Sequence, residues 1–353
     1  ERRRLLEALD LHPRLGSYAA KADRIRALVA LACSQLGWDD VLEPAREAAA
    51  LLKADLTCGL VRDFPSLRGT VGGIYAREEG YVEAVWLGIY EHYQSRPIPQ
   101  RRNGQVLAIA DRLDSLVGFF GIGQVPSGSR DPFGLRRLAQ GLLRIVTEAG
   151  LELDLDLLAA RAVLLYGDLL DRGAETLLGE LQTFLSERFR HLMGQRGFAF
   201  DEIEAAQAVS VRNLPDRVAR LEALRTVREE PEFRSLVLAA KRIFNISQDS
   251  REFEVRPEEL AEGAEQDLHE ALSEVREVVD LAVSEGRYED GLRAMAELVP
   301  HLDRFFADVL VMDENERLKA NRIALLQACR RVFWRIARLK EMVVEKGSEA
   351  TEG

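Results

Sequence analysis

Apolar side chains recur at intervals of three and four residues along most of the 353-residue chain, and this helical period restricts the fold more than any other feature. A clear example is the stripe formed by Leu135, Leu138, Leu142, Ile145 and Val146. No stretch of useful length shows the apolar–polar alternation of a half-buried strand. Leu, Ala, Arg and Glu dominate the composition, and these residues favour helices. The sequence therefore predicts an all-α fold.

Charge and cysteine usage restrict the class of protein further. The chain has 48 Lys and Arg against 59 Asp and Glu, and its net charge of −11 argues against indiscriminate nucleic-acid binding. Between residues 317 and 340, however, eight Lys or Arg occur without a single acid, which allows a local basic site. The three scattered cysteines fit neither a disulfide framework nor a zinc site and suit a reducing cytosol. No apolar run reaches the ~18 residues that a membrane span needs.

Capping residues predict where several helices begin and end. Gly37 is expected to end a helix over residues 22–36, and residues 41–61 are expected to form one long helical stretch. Asp131 is expected to cap a helix that runs to Gly150, with Pro132 in its first turn.

A glycine-rich loop precedes that last helix, and its sequence over residues 121–137 is GIGQVPSGSRDPFGLRR. It places two adjacent arginines, Arg136 and Arg137, at the N-terminus of a helix, where free backbone amides also favour the binding of a phosphate. A tight interhelical turn needs the same Gly, Pro and Ser residues. The chemistry by itself leaves both interpretations open.

The segments AIADRLDSLVGFFGIG (108–123) and PSGSRDPFGLRR (126–137) resemble the signature of the β subunit of bacterial tetrameric glycyl-tRNA synthetase. Residues 302–313 and 317–326 resemble its anticodon-binding helical bundle. The resemblance covers nearly the whole chain, although the family's β subunit is considerably longer. It implies an HD-like helical domain over 1–165, a helical linker or body over 166–250, an anticodon-binding bundle over 251–345 and a disordered tail over 346–353.

The HD superfamily holds a metal with His, His-Asp and Asp side chains from separate helices, and the resemblance locates the paired element at residues 53–55. There the histidine position is Ala54, which cannot bind metal, although Asp111 could stand for the last aspartate and His92 for a substitute ligand. We therefore expect no metal and no catalytic residue in this chain. The other interpretation is that Asp55 and Asp111 cap helices or pair with arginines and that His92 is a satisfied helix-end histidine.

The resemblance implies that the chain positions glycine tRNA for an α subunit that carries the ATP, Mg²⁺ and adenylate chemistry, within a cytoplasmic α2β2 enzyme. No cofactor and no membrane contact are expected for this chain. The predicted tRNA-binding residues are Arg101, Arg102, Arg130, Arg136 and Arg137 near the acceptor stem, and Lys319, Asn321, Arg322, Arg331 and Arg335 at the anticodon. The alternatives are an HD-type metal-dependent phosphohydrolase and a non-catalytic structural scaffold.

The basic helix over residues 317–340 has two plainer interpretations. Its Lys and Arg side chains are either a solvated helix face, as surface arginines commonly are, or partners of the acidic segment around residues 258–285. Charge alone does not choose between these and RNA binding.

Overall fold

The computed structural model describes residues 2–209, 213–248, 251 and 254–344. The chain forms two compact units, one from Glu1–Leu192 with Arg212–Pro215 and the other from Met193–Val211 with Asp216–Gly353. Over the described residues, regular structure is helical except for one antiparallel pair of short strands, which confirms the all-α prediction. The tail predicted at 346–353 lies outside the described residues.

The first unit is a helical assembly with a short strand pair near its start, β1 (Asp10–His12) and β2 (Gly16–Ser17). None of the helices in the described parts of either unit has the length and apolarity that a membrane crossing requires. The helices of this part of the chain are α1 (Arg2–Leu5), α2 (Tyr18–Leu36), α3 (Asp39–Leu51), α4 (Gly59–Asp63), α5 (Thr70–Glu78), α6 (Glu83–Glu91), α7 (Arg102–Gly121), α8 (Leu135–Glu148), α9 (Leu155–Tyr166) and α10 (Ala174–Gln195). The short 3-10 helices are Leu6–Ala8, Ala54–Thr57, Pro65–Leu67 and Gly167–Leu169.

Helix α7 is the centre of the first unit, because α2, α3, α6, α8 and α9 all pack against it. Nearly every residue of α7 is buried, including the polar residues Asp111, Arg112, Asp114 and Ser115. A buried charge is tolerated only when it is paired and hydrogen-bonded. The central helix therefore requires charged partners on the helices around it.

The ends of α2 follow from local sequence, whereas the end of α3 does not. Ser17 accepts a hydrogen bond from the Ala20 amide at 3.2 Å and starts α2, and Gly37 ends it with φ of 64°, as predicted. The single long helix predicted over 41–61 is wrong, because α3 ends at Leu51 and Lys53 adopts a left-handed φ of 72°. Its buried ion pair, described below, outweighs the helical preference of this stretch.

The second unit contains the remaining helices. Helix α14 packs against α15, α16 and α17, and α13 packs against the same three, so these helices share one core. Their ranges are α11 (Phe200–Gln207), α12 (Leu214–Val227), α13 (Pro231–Ser247), α14 (Ala264–Ser284), α15 (Tyr288–Ala296), α16 (Leu298–Asp308) and α17 (Glu316–Phe333), with 3-10 helices at Pro257–Glu259 and Leu339–Glu341.

Helices α5 and α6 approach so closely at Gly73 that a side chain there should be destabilising. A Cβ atom at Gly73 would lie 2.6 Å from Cβ of Tyr90 and 2.8 Å from the carbonyl oxygen of Trp86. Because the backbone of α5 or α6 must move to make room for this atom, we expect Gly73→Ala to lower the free energy of unfolding by about 1–3 kcal/mol. Urea titrations measure this change. Gly179→Ala is the matched control on α10, where the added Cβ meets open space and is expected to stabilise by about 0.5–1 kcal/mol. Equal effects at the two sites would contradict the close contact.

Candidate nucleic-acid interface

Helix α17 carries most of the predicted anticodon-side residues, and its own sequence sets which way they face. The Asn315 side chain starts the helix by accepting from the amides of Arg317 and Leu318 at 3.0 and 3.4 Å. Leu325 and Cys329, which lie one turn apart on the same face, are buried in the core of the second unit. One side of the helix is therefore core and the other is available for charged groups.

Arg331, which the helical period places opposite the apolar stripe of this segment, is exposed, and so is Arg335 on the flank of that stripe. Nε of Arg335 lies 2.7 Å from a carboxylate oxygen of Asp280 on α14, and its side chain remains 52% exposed. Lys319 is half-buried and its ammonium lies 3.3 Å from Glu316, one turn earlier. These three side chains can reach a ligand in solvent.

Asn321 and Arg322, two further predicted tRNA-binding residues of this helix, lie in a different environment. Asn321 is buried, and its amide group accepts from the backbone N–H of Arg256 at 2.8 Å and donates to the Arg256 carbonyl at 3.0 Å. Arg322 is inserted between Glu265 and Asp313, with both N–O distances at 2.7 Å. Both side chains hold neighbouring segments of this unit together, and we leave them out of the candidate RNA-binding surface.

The alternative that basic residues pair with the acidic segment is confirmed for Arg322, Arg335 and Arg317. Arg317 donates to both carboxylate oxygens of Glu259, at 2.9 and 2.5 Å. The pairs at Arg317 and Arg335 are solvent-exposed, and screening by water and salt makes such pairs weak. A phosphate group can therefore replace the carboxylate at little cost.

A groove of about 520 Å³ separates α14 from α17 and contains both exposed arginines. Leu272, Ala328 and Val332 give it apolar surface. The α14 side of this groove was not among the predicted site residues, and it is formed by His269, Ser273, Arg276 and Asp280. Their spacing of three, four and seven residues places them on one face of a helix, and this signal was present in the sequence.

The glycine-rich loop of the first unit is built as a turn ahead of α8. Ser127 and Arg130 exchange backbone hydrogen bonds at 3.1 and 2.8 Å. Asp131 caps α8 as predicted, because its carboxylate accepts from the amides of Leu135 and Arg136 at 2.8 and 3.0 Å. The prediction for Pro132 is wrong, since α8 begins only at Leu135, after the left-handed residue Gly134.

The arginines of this loop differ in what they do. Arg130 and Arg137 are exposed, whereas Arg136 donates to the carbonyl oxygens of Gly128 at 2.8 Å and of Arg130 at 3.4 Å. Arg136 therefore holds the turn in shape while it remains half-buried. The backbone amide of Arg130 already donates to Ser127 within the turn, and the amides of Leu135 and Arg136 already donate to the carboxylate of Asp131.

Arg101 and Arg102 stand at the start of α7, and both are exposed. Arg101 lies 3.7 Å from Glu83, and Arg102 lies 3.5 Å from Asp40 with its guanidinium 5.1 Å from the ring centre of Trp38. Nearby carboxylates thus partly neutralise these two cations. Exposed pairs of this kind are weak enough to open for a phosphate.

Lys53, His92 and Asp111 form a buried charged cluster beside α7. The ammonium of Lys53 lies 2.6 Å from an Asp111 oxygen, 3.0 Å from Nε2 of His92 and 3.9 Å from the ring centre of Tyr93. Asp55, the aspartate of the paired element at residues 53–55, accepts from the Gly69 amide at 2.6 Å. The prediction that Asp111 pairs with arginine is corrected, because its partners are the lysines Lys53 and Lys21.

Burial and charge together set the protonation of this cluster. Burial lowers the pKa of Lys53 to about 8, against the pull of Asp111. Burial and then the Lys53 ammonium also hold the pKa of His92 well below its ordinary value, so the ring is neutral. Its Nδ1 donates to the Ile89 carbonyl at 2.6 Å, and its Nε2 accepts from Lys53. His92 is thus a satisfied helix-end histidine.

Within the described residues, no group of three or more His, Cys, Asp or Glu side chains is arranged to hold a metal ion. The ammonium of Lys53 instead lies against His92 and Asp111, the two side chains that the sequence offered as ligands. The cluster as built is a set of ion pairs and hydrogen bonds that joins α7 to the segments around it.

Two family profiles match the chain. The one described as "Glycyl-tRNA synthetase beta subunit" matches residues 1–208. The one described as "DALR anticodon binding domain" matches residues 236–339, which contain α14 and α17 and the groove between them.

Curated relatives match over almost the whole chain. The glycine–tRNA ligase β subunit of Leptothrix cholodnii is 37% identical over 351 residues, which cover 94% of this chain and 49% of the relative. That of Moorella thermoacetica is 37% identical over 347 residues, covering 96% of this chain and 50% of the relative. The chain therefore spans about half the length of the relatives that it matches.

Proposed function

The chain belongs to the glycyl-tRNA synthetase β-subunit family, and from this premise we propose that it binds glycine tRNA and positions it for aminoacylation by a separate α subunit. The observation that carries the proposal is the exposed pair Arg331 and Arg335 within the segment that matches an anticodon-binding domain. Guanidinium groups bind phosphates bidentately and stack on unpaired bases, and an anticodon loop presents both.

The first unit is proposed to approach the acceptor stem. Its exposed arginines are Arg101, Arg102, Arg130 and Arg137, while Arg136 shapes the loop that carries the last two. The proposed contribution of these side chains is binding and orientation of the tRNA. Contacts far from the reacting ester can lower the barrier there by holding the 3′ end of the tRNA in place.

The remaining parts of the reaction are proposed to lie outside this chain. The α subunit would bind ATP, Mg²⁺ and glycine, and two α and two β subunits would form the active enzyme in the cytoplasm. This division of labour rests on the family to which the chain belongs.

We expect Arg331→Ala and Arg335→Ala together to weaken binding of glycine tRNA about tenfold or more at moderate salt, because each charge-assisted hydrogen bond contributes about 1.5–3 kcal/mol. Each substitution should also reduce the slope of log Kd against log salt by about 1. The measurement is a filter-binding or gel-shift titration of the full chain across a salt series.

Arg287→Ala is the matched control, because Arg287 is an exposed arginine of the same unit, paired with Glu285 at 2.5 Å and Asp290 at 2.7 Å. It should leave both affinity and salt slope unchanged. An unrelated tRNA provides the second control. If the double variant binds glycine tRNA with unchanged affinity and slope, the assignment of this surface is wrong; if the unmodified chain does not prefer glycine tRNA, the proposed function is wrong.

A further inference from the structure

We infer that the groove between α14 and α17 binds one unpaired RNA nucleotide whose base carries an exocyclic amine, with the arginines on its phosphate and Asp280 on the amine. This inference rests on the proposed function and names the recognition chemistry of the same surface. The size, the apolar surface and the charge of the groove suit such a nucleotide.

The groove has the dimensions and lining of a small-ligand site. Its volume of about 520 Å³ lies within the ~300–1,000 Å³ that such sites usually enclose. Leu272 and Val332 are buried side chains that border it from the two helices, and Ala328 lies one turn before Val332. An apolar surface of this kind suits the flat face of a base, and the half-buried ring of His269 adds a surface on which a base can stack.

Three guanidinium groups and two carboxylates, those of Asp280 and Glu254, border the groove. Arg276 comes from α14 with 70% of its side chain exposed, while Arg331 and Arg335 come from the other wall. Arg276 and Arg335 both approach Asp280, at 3.7 and 2.7 Å. Guanidinium forks match the oxygens of a phosphate, so these side chains suit the backbone of the bound nucleotide.

The Asp280 carboxylate supplies selectivity among bases. It is 41% exposed and faces the groove, and an ionised carboxylate only accepts hydrogen bonds. The N4 amine of cytosine is the group that carboxylates recognise on that base. Uracil instead places its single N–H between two carbonyl oxygens, which repel a carboxylate. Cytosine against uracil is therefore the matched comparison, because the two bases have nearly the same size and shape.

The test measures fluorescence anisotropy of labelled oligocytidine and oligouridine with the full chain at low salt. Oligocytidine should bind about five- to tenfold more tightly than oligouridine, in line with the selectivity of a side chain–base hydrogen bond. Asp280→Asn should bring this ratio close to one without weakening oligouridine, since the arginines then lose their competing carboxylate. The double variant Arg276→Ala with Arg335→Ala should weaken the binding of both oligonucleotides and leave the ratio of their two affinities unchanged.

Asp290→Asn is the matched control, because Asp290 is also a partly exposed carboxylate paired with an arginine of this unit but does not line the groove. It should change neither affinity nor ratio. Circular dichroism of each variant verifies the fold. Equal binding of the two oligonucleotides would overturn the inference, and so would an unchanged ratio in Asp280→Asn. Arginine-dependent binding of a glutamate-rich peptide as tight as that of oligocytidine would also overturn it, since it would identify a protein partner.

The outcomes separate this inference from the proposed function. If the cytosine preference is absent but glycine tRNA still binds through Arg331 and Arg335, the inference fails and the function stands. If the preference depends on Asp280 while glycine tRNA binds no better than an unrelated tRNA, the inference stands and the function fails.

Discussion

Replacing Asp114 by alanine should lower the free energy of unfolding of the first unit by about 3–5 kcal/mol. The Asp114 carboxylate is fully buried and lies 2.9 Å from the ammonium of Lys21 and 2.6 Å from Nε of Arg24. It also accepts from the hydroxyl of Tyr166 at 3.1 Å. Without the carboxylate, two buried cations lose their shared anion, and neither side chain can reach water while the core stays closed.

Urea unfolding followed by tryptophan fluorescence measures this effect. Trp38 and Trp86 belong to the first unit and Trp334 to the second, so a Trp334→Phe background reports on the first unit alone. Asp23→Ala is the matched control, since Asp23 pairs with Arg3 at 3.2 Å in an exposed position and should contribute no more than about 1 kcal/mol. Similar losses for the two variants would show that the Asp114 cluster does not stabilise the unit.

Asp111→Asn should also be strongly destabilising, by about 3 kcal/mol or more, and a second substitution should reverse most of the loss. The amide keeps the shape of the side chain but leaves the Lys53 ammonium without a carboxylate, while Lys21 retains Asp114. Adding Lys53→Met removes the unpaired charge and keeps a side chain of similar length. The same urea titration should therefore find the double variant more stable than Asp111→Asn. A double variant that is as unstable as the sum of the two single variants would contradict a direct ion pair.

The stabilisation by Asp111 should depend on pH in a defined direction. Burial alone would raise the pKa of Asp111, but the ammoniums of Lys53 and Lys21 outweigh burial and hold the pKa well below its usual range. A carboxyl with a depressed folded-state pKa stabilises fully above its unfolded-state pKa of about 3.9, and the stabilisation is lost as the pH falls further. The difference in stability between the chain and Asp111→Asn should thus shrink as the pH falls below about 4. A difference that grows on acidification would refute this assignment.

Helix ends were predictable wherever a neighbouring residue caps the backbone. Gly37 and Asp131 act within a few residues of the amides or carbonyls that they serve, so their roles can be inferred from spacing alone. Pro132 shows the limit of this inference, because the turn continues to Gly134 before α8 begins. The exposure of Arg331 was likewise predictable from its position opposite the apolar stripe.

The sequence by itself determined that the chain is helical and which family it belongs to, and it identified six exposed arginines as candidate tRNA-binding residues, because periodicity and ordered motifs are local properties. Only the tertiary structure decided that Asn321 is buried against the backbone of Arg256 and that Arg276 and Asp280 border a groove with α17. The same holds for the shared burial of Lys21 and Asp114, which lie 93 residues apart in the chain. Contacts of this kind depend on how helices from distant segments pack, and a buried charge is stable only where that packing brings it a partner.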